Sequence, residues 1–372
     1  MHLKIFLTGD NHIGLKFNSY PEKIRSSLVK ARVDNLKNMV DKANSERCDL
    51  FAVAGDLFDR VKVAKKDKEN AAKILEQFSG TVVVLPGNHD YHDDVVDLWK
   101  DFKDFAGENT IVLNTYEPYN LSNNDIDLTL YPAYCNKKHS SDNALKWIKE
   151  LQIKEPTTWN IGIAHGALNG LSPDIEQKYY NMDEKELDDI GLDLWLLGHT
   201  HLPYPSEEKV INRRIFNSGT SEPDGLDCNH GGNAWVITIN DSKETSAKRV
   251  ETGIYRFYDI EHKLESEQCL SKLFQELDME DTDRKIVRLA PKGRVKREVL
   301  EQTQHYQNKF REKFGYLEVR LENLKLQLTK EDIEQQYSKG SFPYQVLNQL
   351  LETDNDALHL AYELMEECQN EN

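Results

Sequence analysis

Short apolar, β-rich runs alternate with longer amphipathic stretches through roughly the first 200 residues, the pattern of a sheet wrapped by helices. Strands are predicted at Leu3–Leu7, Leu50–Ala54, Thr81–Leu85, Ile161–Ala164 and Leu192–Leu197. Between them, Glu22–Ala43, Asp67–Phe78 and Asp142–Leu151 are predicted as helices; Ile24, Leu28, Ala31, Leu36, Met39 and Val40 recur near helical spacing. Three further runs, Lys209–Phe216, Ala234–Ile239 and Ala247–Tyr258, read as a terminal set of antiparallel strands that closes a first domain over residues 1–258.

Past Asp259 the pattern changes. A helix-like Glu265–Leu277, a strand-like Lys285–Leu289, a long helix Arg297–Lys313 and a strand-like Tyr316–Leu321 predict a small α+β unit over 259–325. The remainder, 326–372, is helical and acidic. Val346, Leu347, Leu350 and Leu351 form one apolar stripe there, and Ala357, Leu358, Ala361, Leu364 and Met365 form another. Glu352-Thr353-Asp354-Asn355-Asp356 between them offers a stop and a new N-cap. Helices this short are marginal alone, so their apolar faces need a surface to pack on, either the protein's own second unit or a partner.

Composition narrows the classes. Apolar residues at 38% and charged residues at 30% describe a globular chain, and no run approaches the ~18 apolar residues of a membrane span. The apolar run at the start, Leu3 to Leu7, is too short for a signal peptide and Asp10 follows closely, so a cytoplasmic location is expected. Five scattered cysteines, none at metal-ligand or redox spacing, offer neither a disulfide framework nor a thiolate zinc site. With 47 basic against 64 acidic residues the net charge is -17, which excludes coating nucleic acid by bulk charge. Any polyanion must be drawn in locally.

Each buried-looking strand runs directly into a polar cluster: Gly9-Asp10-Asn11-His12, Gly55-Asp56-Leu57-Phe58-Asp59, Gly87-Asn88-His89-Asp90, His165-Gly166 and Gly198-His199-Thr200-His201. In an open α/β sheet, the crevice beyond the carboxyl ends of the strands is where ligands bind, so the five clusters are expected to converge. They offer imidazole, carboxylate and one carboxamide, a set that suits Mn(II), Fe(II) or Zn(II). Asp10, His12, Asp56, Asn88, His165, His199 and His201 are too many donors for one tetrahedral ion and suit two ions sharing a carboxylate, the arrangement that clamps both oxygens of a phosphoryl displacement.

This ordered set resembles the calcineurin-like metallophosphoesterase superfamily. Asp10-x-His12, Gly55-Asp56-Leu57-Phe58-Asp59, Gly87-Asn88-His89-Asp90 and Asn217-Ser218-Gly219-Thr220-Ser221-Glu222-Pro223 look like its DNA-repair nuclease branch, the SbcD and MRE-eleven type. The resemblance implies a four-layer αββα sandwich with a small α+β capping domain, two Mn(II) ions and hydrolysis of DNA phosphodiesters by a metal-activated water. It places Asp10, His12 and His201 on one ion and Asn88, His165 and His199 on the other, with Asp56 bridging. His89 matches the non-ligand histidine that acts near the leaving oxygen, and Asp90 is expected to orient its imidazole. The partners implied are DNA, an SMC-like (SbcC-type) ATPase docked on the helical tail, and a second copy of the chain, with no membrane.

Two further readings concern specificity. Asp59-Arg60 is similar to the phosphate-binding Asp-Arg of phosphoprotein phosphatases, but Val61 replaces the usual glycine there, so a protein phosphatase or small-nucleotide phosphodiesterase is the alternative on the same core. Between Arg284 and Arg297 stand seven basic residues and no acid. Arg288, Lys292, Arg294 and Lys296 in that run are the candidate DNA-phosphate contacts.

Overall fold

In the computed structural model, which describes residues 1–122, 126–151, 157–171, 174, 176–264, 266–277 and 281–370, the chain divides into two compact units, Met1–Phe257 and Tyr258–Asn372. Glu265, at the start of one predicted helix, lies outside the described residues. The first unit runs β1 (His2–Thr8), α1 (Glu22–Ser45), β2 (Leu50–Val53), α2 (Lys65–Leu75), β3 (Thr81–Val84), α3 (Leu98–Lys103), β4 (Thr110–Val112), β5 (Tyr119–Asn120) and β6 (Leu128–Ala133). It continues through α4 (Lys146–Glu150), β7 (Trp159–His165), α5 (Glu184–Ile190), β8 (Leu194–Gly198), β9 (Lys209–Ile211), β10 (Ile215–Asn217), β11 (Asn233–Asn240) and β12 (Thr245–Glu251).

Two sheets form, in the orders β4-β3-β2-β1-β11-β12-β9 and β10-β8-β7-β6-β5. Strand alternation puts the sheets face to face. Leu3, Ile5 and Leu7 of β1 pack against Leu130, Ile161, Ile163, Leu194 and Leu196 of the other sheet, whereas Phe6 faces Leu36, Met39 and Val40 of α1. On the far side, Tyr131, Trp195 and Leu197 meet Ile148 of α4 and Leu187 of α5. The result is helix, sheet, sheet, helix, the four-layer α/β sandwich expected. Strands β1 to β4 are mutually parallel, as are β6, β7, β8 and β10, so their carboxyl ends can share one crevice.

Two expectations change. Lys209–Phe216 is not one strand: Asn212, at φ 53°, turns the chain, sending β9 to the antiparallel edge of one sheet and β10 to a parallel place beside β8 in the other. The predicted Ala247–Tyr258 run likewise stops at Glu251, and a new strand, β13 (Arg256–Lys263), carries the chain into the second unit. Strand β6 carries no strand signal along the sequence, because Pro132 interrupts its donor pattern; β5 pairs only with Thr129 and Leu130, so no ladder bond is demanded of that proline on the outer side.

The second unit comprises β13, α6 (Glu267–Leu277), β14 (Lys285–Val295), α7 (Arg297–Arg311), β15 (Tyr316–Val319), β16 (Leu324–Leu326), α8 (Lys330–Gln336), α9 (Phe342–Thr353) and α10 (Asn355–Asn370). β14 is longer than predicted because it pairs in parallel first with β15 and then with β16, and Pro291, which has no N–H to give, falls between the two pairings. Leu270, Phe274, Val287, Leu289, Phe310 and Leu317 fill its core. The tail forms a second small core, in which Leu328, Ile333 and Tyr337 enclose Leu347 of α9 and Leu358 of α10. Asp354 Oδ1 accepts the N–H groups of Asp356 and Ala357, each at 3.0 Å, and so starts the last helix.

Candidate metal centre

The turns after β1, β2, β3, β7 and β8 meet at one end of the sandwich. Backbone bonds lace the first two together, Asp10 N–H to Gly55 C=O at 3.1 Å and His12 N–H to Asp56 C=O at 3.0 Å. The turns are tight enough to hold Asp10 (φ 50°), His12 (φ 46°), Asp56 (φ 52°) and His199 (φ 96°) in left-handed conformations, which non-glycine residues keep only where the surroundings impose them. Glycine is required where the turns touch. A Cβ on Gly55 would lie 2.1 Å from His165 Nδ1, and one on Gly87 would lie 2.2 Å from Asp56 Oδ1.

All seven expected donors come together. Asp10 Oδ1 lies 3.9 Å from His201 Nε2, and Asp56 Oδ2 lies 3.8 Å from His12 Nε2 and 3.3 Å from His165 Nε2. Asn88 Oδ1 is 3.0 Å from both His165 Nε2 and His199 Nδ1. Ligand atoms of Asp10, His12 and His201 fall within 4.8 Å of one another, as do those of Asp10, Asp56 and His165. Two lone-pair atoms are left unmatched without a cation: Asp10 Oδ1 and His12 Nε2 are buried with no hydrogen-bond partner among the described residues. Buried polar atoms are rarely left so. The donor set therefore fits divalent metal ions.

The electrostatics agree. Burial holds His12 well below the ordinary imidazole range and, with the nearby His165 charge, pushes His199 down to about 3. Both rings are thus neutral and keep a lone pair to donate. Burial alone would raise Asp56, but the His165 charge and the His165 hydrogen bond overcome it and hold the carboxylate well below its usual range. For His165 burial opposes the charge, yet Asp56 and Asp10 push it up to about 9. Its Nδ1–H donates to Ala54 C=O at 2.8 Å, which directs Nε2 at the site.

His89 and Asp90 divide their work differently from expectation. His89 Nδ1–H donates to Asp59 C=O at 3.0 Å, so a backbone carbonyl orients the ring, which lies edge-on to His12 at 4.8 Å. Asp90 does not do so. Its carboxylate accepts Gly87 N–H at 2.7 Å and Phe58 N–H at 2.9 Å, and burial followed by the Asp56 charge raises its pKa. It braces the two turns on either side of Asp56.

Several contributors lie outside the expected donor set. Thr220 Oγ1 donates to Asp10 C=O at 2.9 Å, Asn11 Nδ2 donates to Ser221 Oγ at 2.8 Å and Asn217 Nδ2 donates to Thr200 C=O at 2.7 Å. The Asn217–Pro223 stretch thereby ties the turn of Asp10 to the turn of His201. Glu222 anchors it by accepting Asn35 Nδ2 and the N–H groups of Ile254 and Tyr255. Tyr179 lies against His199 with ring centroids 5.0 Å apart.

The candidate DNA contacts fall in the second unit, on β14 and at the start of α7, and their surroundings correct the reading of a bare cationic run. Arg288 binds Asp259 through two N–H groups, Lys292 pairs with Glu261 at 2.8 Å and Arg294 pairs with Asp356 at 2.7 Å. The acids come from β13 and the tail, so no window along the sequence could show them. Lys296 is exposed.

With the site described, its class follows. Residues 3–203 match the calcineurin-like phosphoesterase family, and the chain belongs to that family. The chain is also similar to the uncharacterized metallophosphoesterase YhaO of Bacillus subtilis (strain 168), 24% identical over 204 residues, which is 54% of this chain and 47% of that protein. The match thus spans about half of the relative's length. A solved chain superposes with a TM-score of 0.41 at 9% identity, over 68% of this chain and 100% of that one, a likeness too loose to argue from. No helix among the described residues is long and apolar enough to cross a membrane.

Proposed function

We propose that this phosphoesterase is a DNA nuclease of the SbcD and MRE-eleven type, working in DNA repair or end processing. The observation that carries the reading is the Asn217–Pro223 stretch, whose resemblance to that branch coincides with a distinct task, the bracing of both ligand turns. Asp10, His12 and His201 would hold one divalent ion, Asn88, His165 and His199 a second, with Asp56 between them. Two such ions, Mn(II) on this reading, would supply Lewis acidity at the phosphodiester and an acidified water. The chain's own contribution is to fix those donors, to keep the His12 and His199 imidazoles neutral, and to present His89. Tied at Nδ1 to Asp59 C=O, His89 has Nε2 free to hold a proton near the leaving oxygen.

Substrate profiling tests this. With Mn(II), linear duplex and single-stranded DNA are expected to be cut, while turnover confined to cyclic nucleotides or a phosphopeptide would replace the nuclease reading with the phosphodiesterase or phosphatase alternative. The tail supports the SMC-like ATPase as partner through Leu360 and Leu364, one turn apart on α10 and 61% and 52% exposed. Replacing both by Asp should abolish that association while metal-dependent cleavage of short DNA persists. Truncation after Lys339 is a poorer test, since it strips Leu347 and Leu358 from the tail's core.

A further inference from the structure

We propose that Asp224 is a positioning residue for His201, and that its carboxylate makes the Asp10–His12–His201 half of the centre the tighter of the two cation sites. The inference rests on the metal-centre reading above and concerns what stands behind the donors. His201 faces Asp10 through Nε2, and its Nδ1 lies 3.4 Å from Asp224 Oδ2. His12 is arranged alike, with Nε2 toward Asp56 and Nδ1 4.0 Å from Asp59 Oδ1. In the other half no carboxylate among the described residues plays this part. His165 gives its Nδ1–H to the neutral Ala54 carbonyl, and His199 turns Nδ1 itself toward Asn88 and lays its ring against Tyr179.

A partner on the outer nitrogen fixes which ring nitrogen offers its lone pair, and an anionic partner also raises the basicity of that lone pair. On the proposed assignment formal charge runs the same way: Asp10 is a ligand of the first half, the neutral Asn88 of the second, and Asp56 is shared. Asp224 is itself held. Arg32, buried in α1, reaches it with Nη2 at 3.9 Å and donates through Nη1 to Asn11 C=O at 2.7 Å. One guanidinium thus couples the carboxylate behind His201 to the turn that carries Asp10 and His12.

The test is titration of Mn(II) into the metal-stripped full chain by calorimetry, without substrate, for wild type, Asp224→Asn, His201→Ala and the double variant. Wild type should show two binding events. Asp224→Asn should weaken the tighter one by roughly 10- to 100-fold, the usual cost of losing an outer partner, and leave the other unchanged. In the His201→Ala background the same substitution should have no further effect, because Asp224 acts through that ring. Should Asp224→Asn fold poorly, as judged by the melting of the metal-free protein, Asp59→Asn must weaken the same event by a smaller factor. Unchanged affinities in the single variant, equal losses in both events, or a further loss in the His201→Ala background overturn the inference. A wild-type chain that takes up no metal would instead overturn the reading of the centre.

Discussion

The crevice of the first unit and the basic strand β14 of the second both stand out as charge-bearing segments, and the structure treats them oppositely. In the crevice, charged and polar atoms are buried and some lack partners: Asp10 Oδ1 and His12 Nε2 have none among the described residues. On β14, the cations are near the surface and are met by carboxylates, Lys292 by Glu261 and Arg294 by Asp356. An exposed ion pair is worth only about 0–1 kcal/mol, whereas a buried polar atom without a partner costs on the order of 1–3 kcal/mol. The fold tolerates that deficit where a ligand will relieve it. In the crevice the missing partners coincide with converging ligand atoms of Asp10, His12, Asp56, His165 and His201, and that coincidence, rather than abundant charge, marks the candidate site.

The contrast can be broken most directly at Asp56. Asp56→Asn should weaken uptake of both ions by more than about 100-fold, beyond the usual cost of an outer-partner loss, and hydrolysis should fall with it; an intact complement of two ions by elemental analysis would show that Asp56 does not join the halves. His89→Ala sharpens the same region from the other side. Metal content should stay at the wild-type level while the rate drops roughly 100- to 10,000-fold, and loss of metal would move His89 among the donors.

Asp90→Ala separates bracing from catalysis. It strands the N–H groups of Gly87 and Phe58 in the interior, at about 1–3 kcal/mol each, so denaturant unfolding should show a loss of that order. A large rate defect at unchanged stability would restore Asp90 as the group that orients His89. The smallest effect is expected on β14. Replacing Arg288, Lys292, Arg294 and Lys296 together should change the log-log salt slope of duplex binding by well under the ~0.9 per contact of free cations, because three of them already have carboxylate partners. A shift near the full value would show that DNA displaces those carboxylates.

The donors themselves were legible because each ends a strand. A short apolar run followed by glycine and a polar cluster is a local pattern, and parallel strands deliver such clusters to one edge whatever the loops between them do. That reasoning reached Asp10, His12, Asp56, Asn88, His165, His199 and His201, and the helices α1, α7 and α9 through their 3.6-residue spacing. It failed at β6, whose proline spoils the local pattern, and at the division of Lys209–Phe216 between two sheets.

What only the tertiary structure decided is which atom of each donor faces inward and what stands behind it. His199 N–H reaches Asp10 Oδ2 across 189 residues of sequence, at 3.0 Å. Asn35 bonds Glu222 across 187, and Asp224 meets His201 from beyond β9 and β10, which separate them in sequence. The carboxylates that neutralise β14 arrive the same way. Hydrophobic periodicity depends on neighbours three or four positions apart and can be read along the chain. The partner of a charge depends on how the sheets stack, and a string of residues does not carry that stacking.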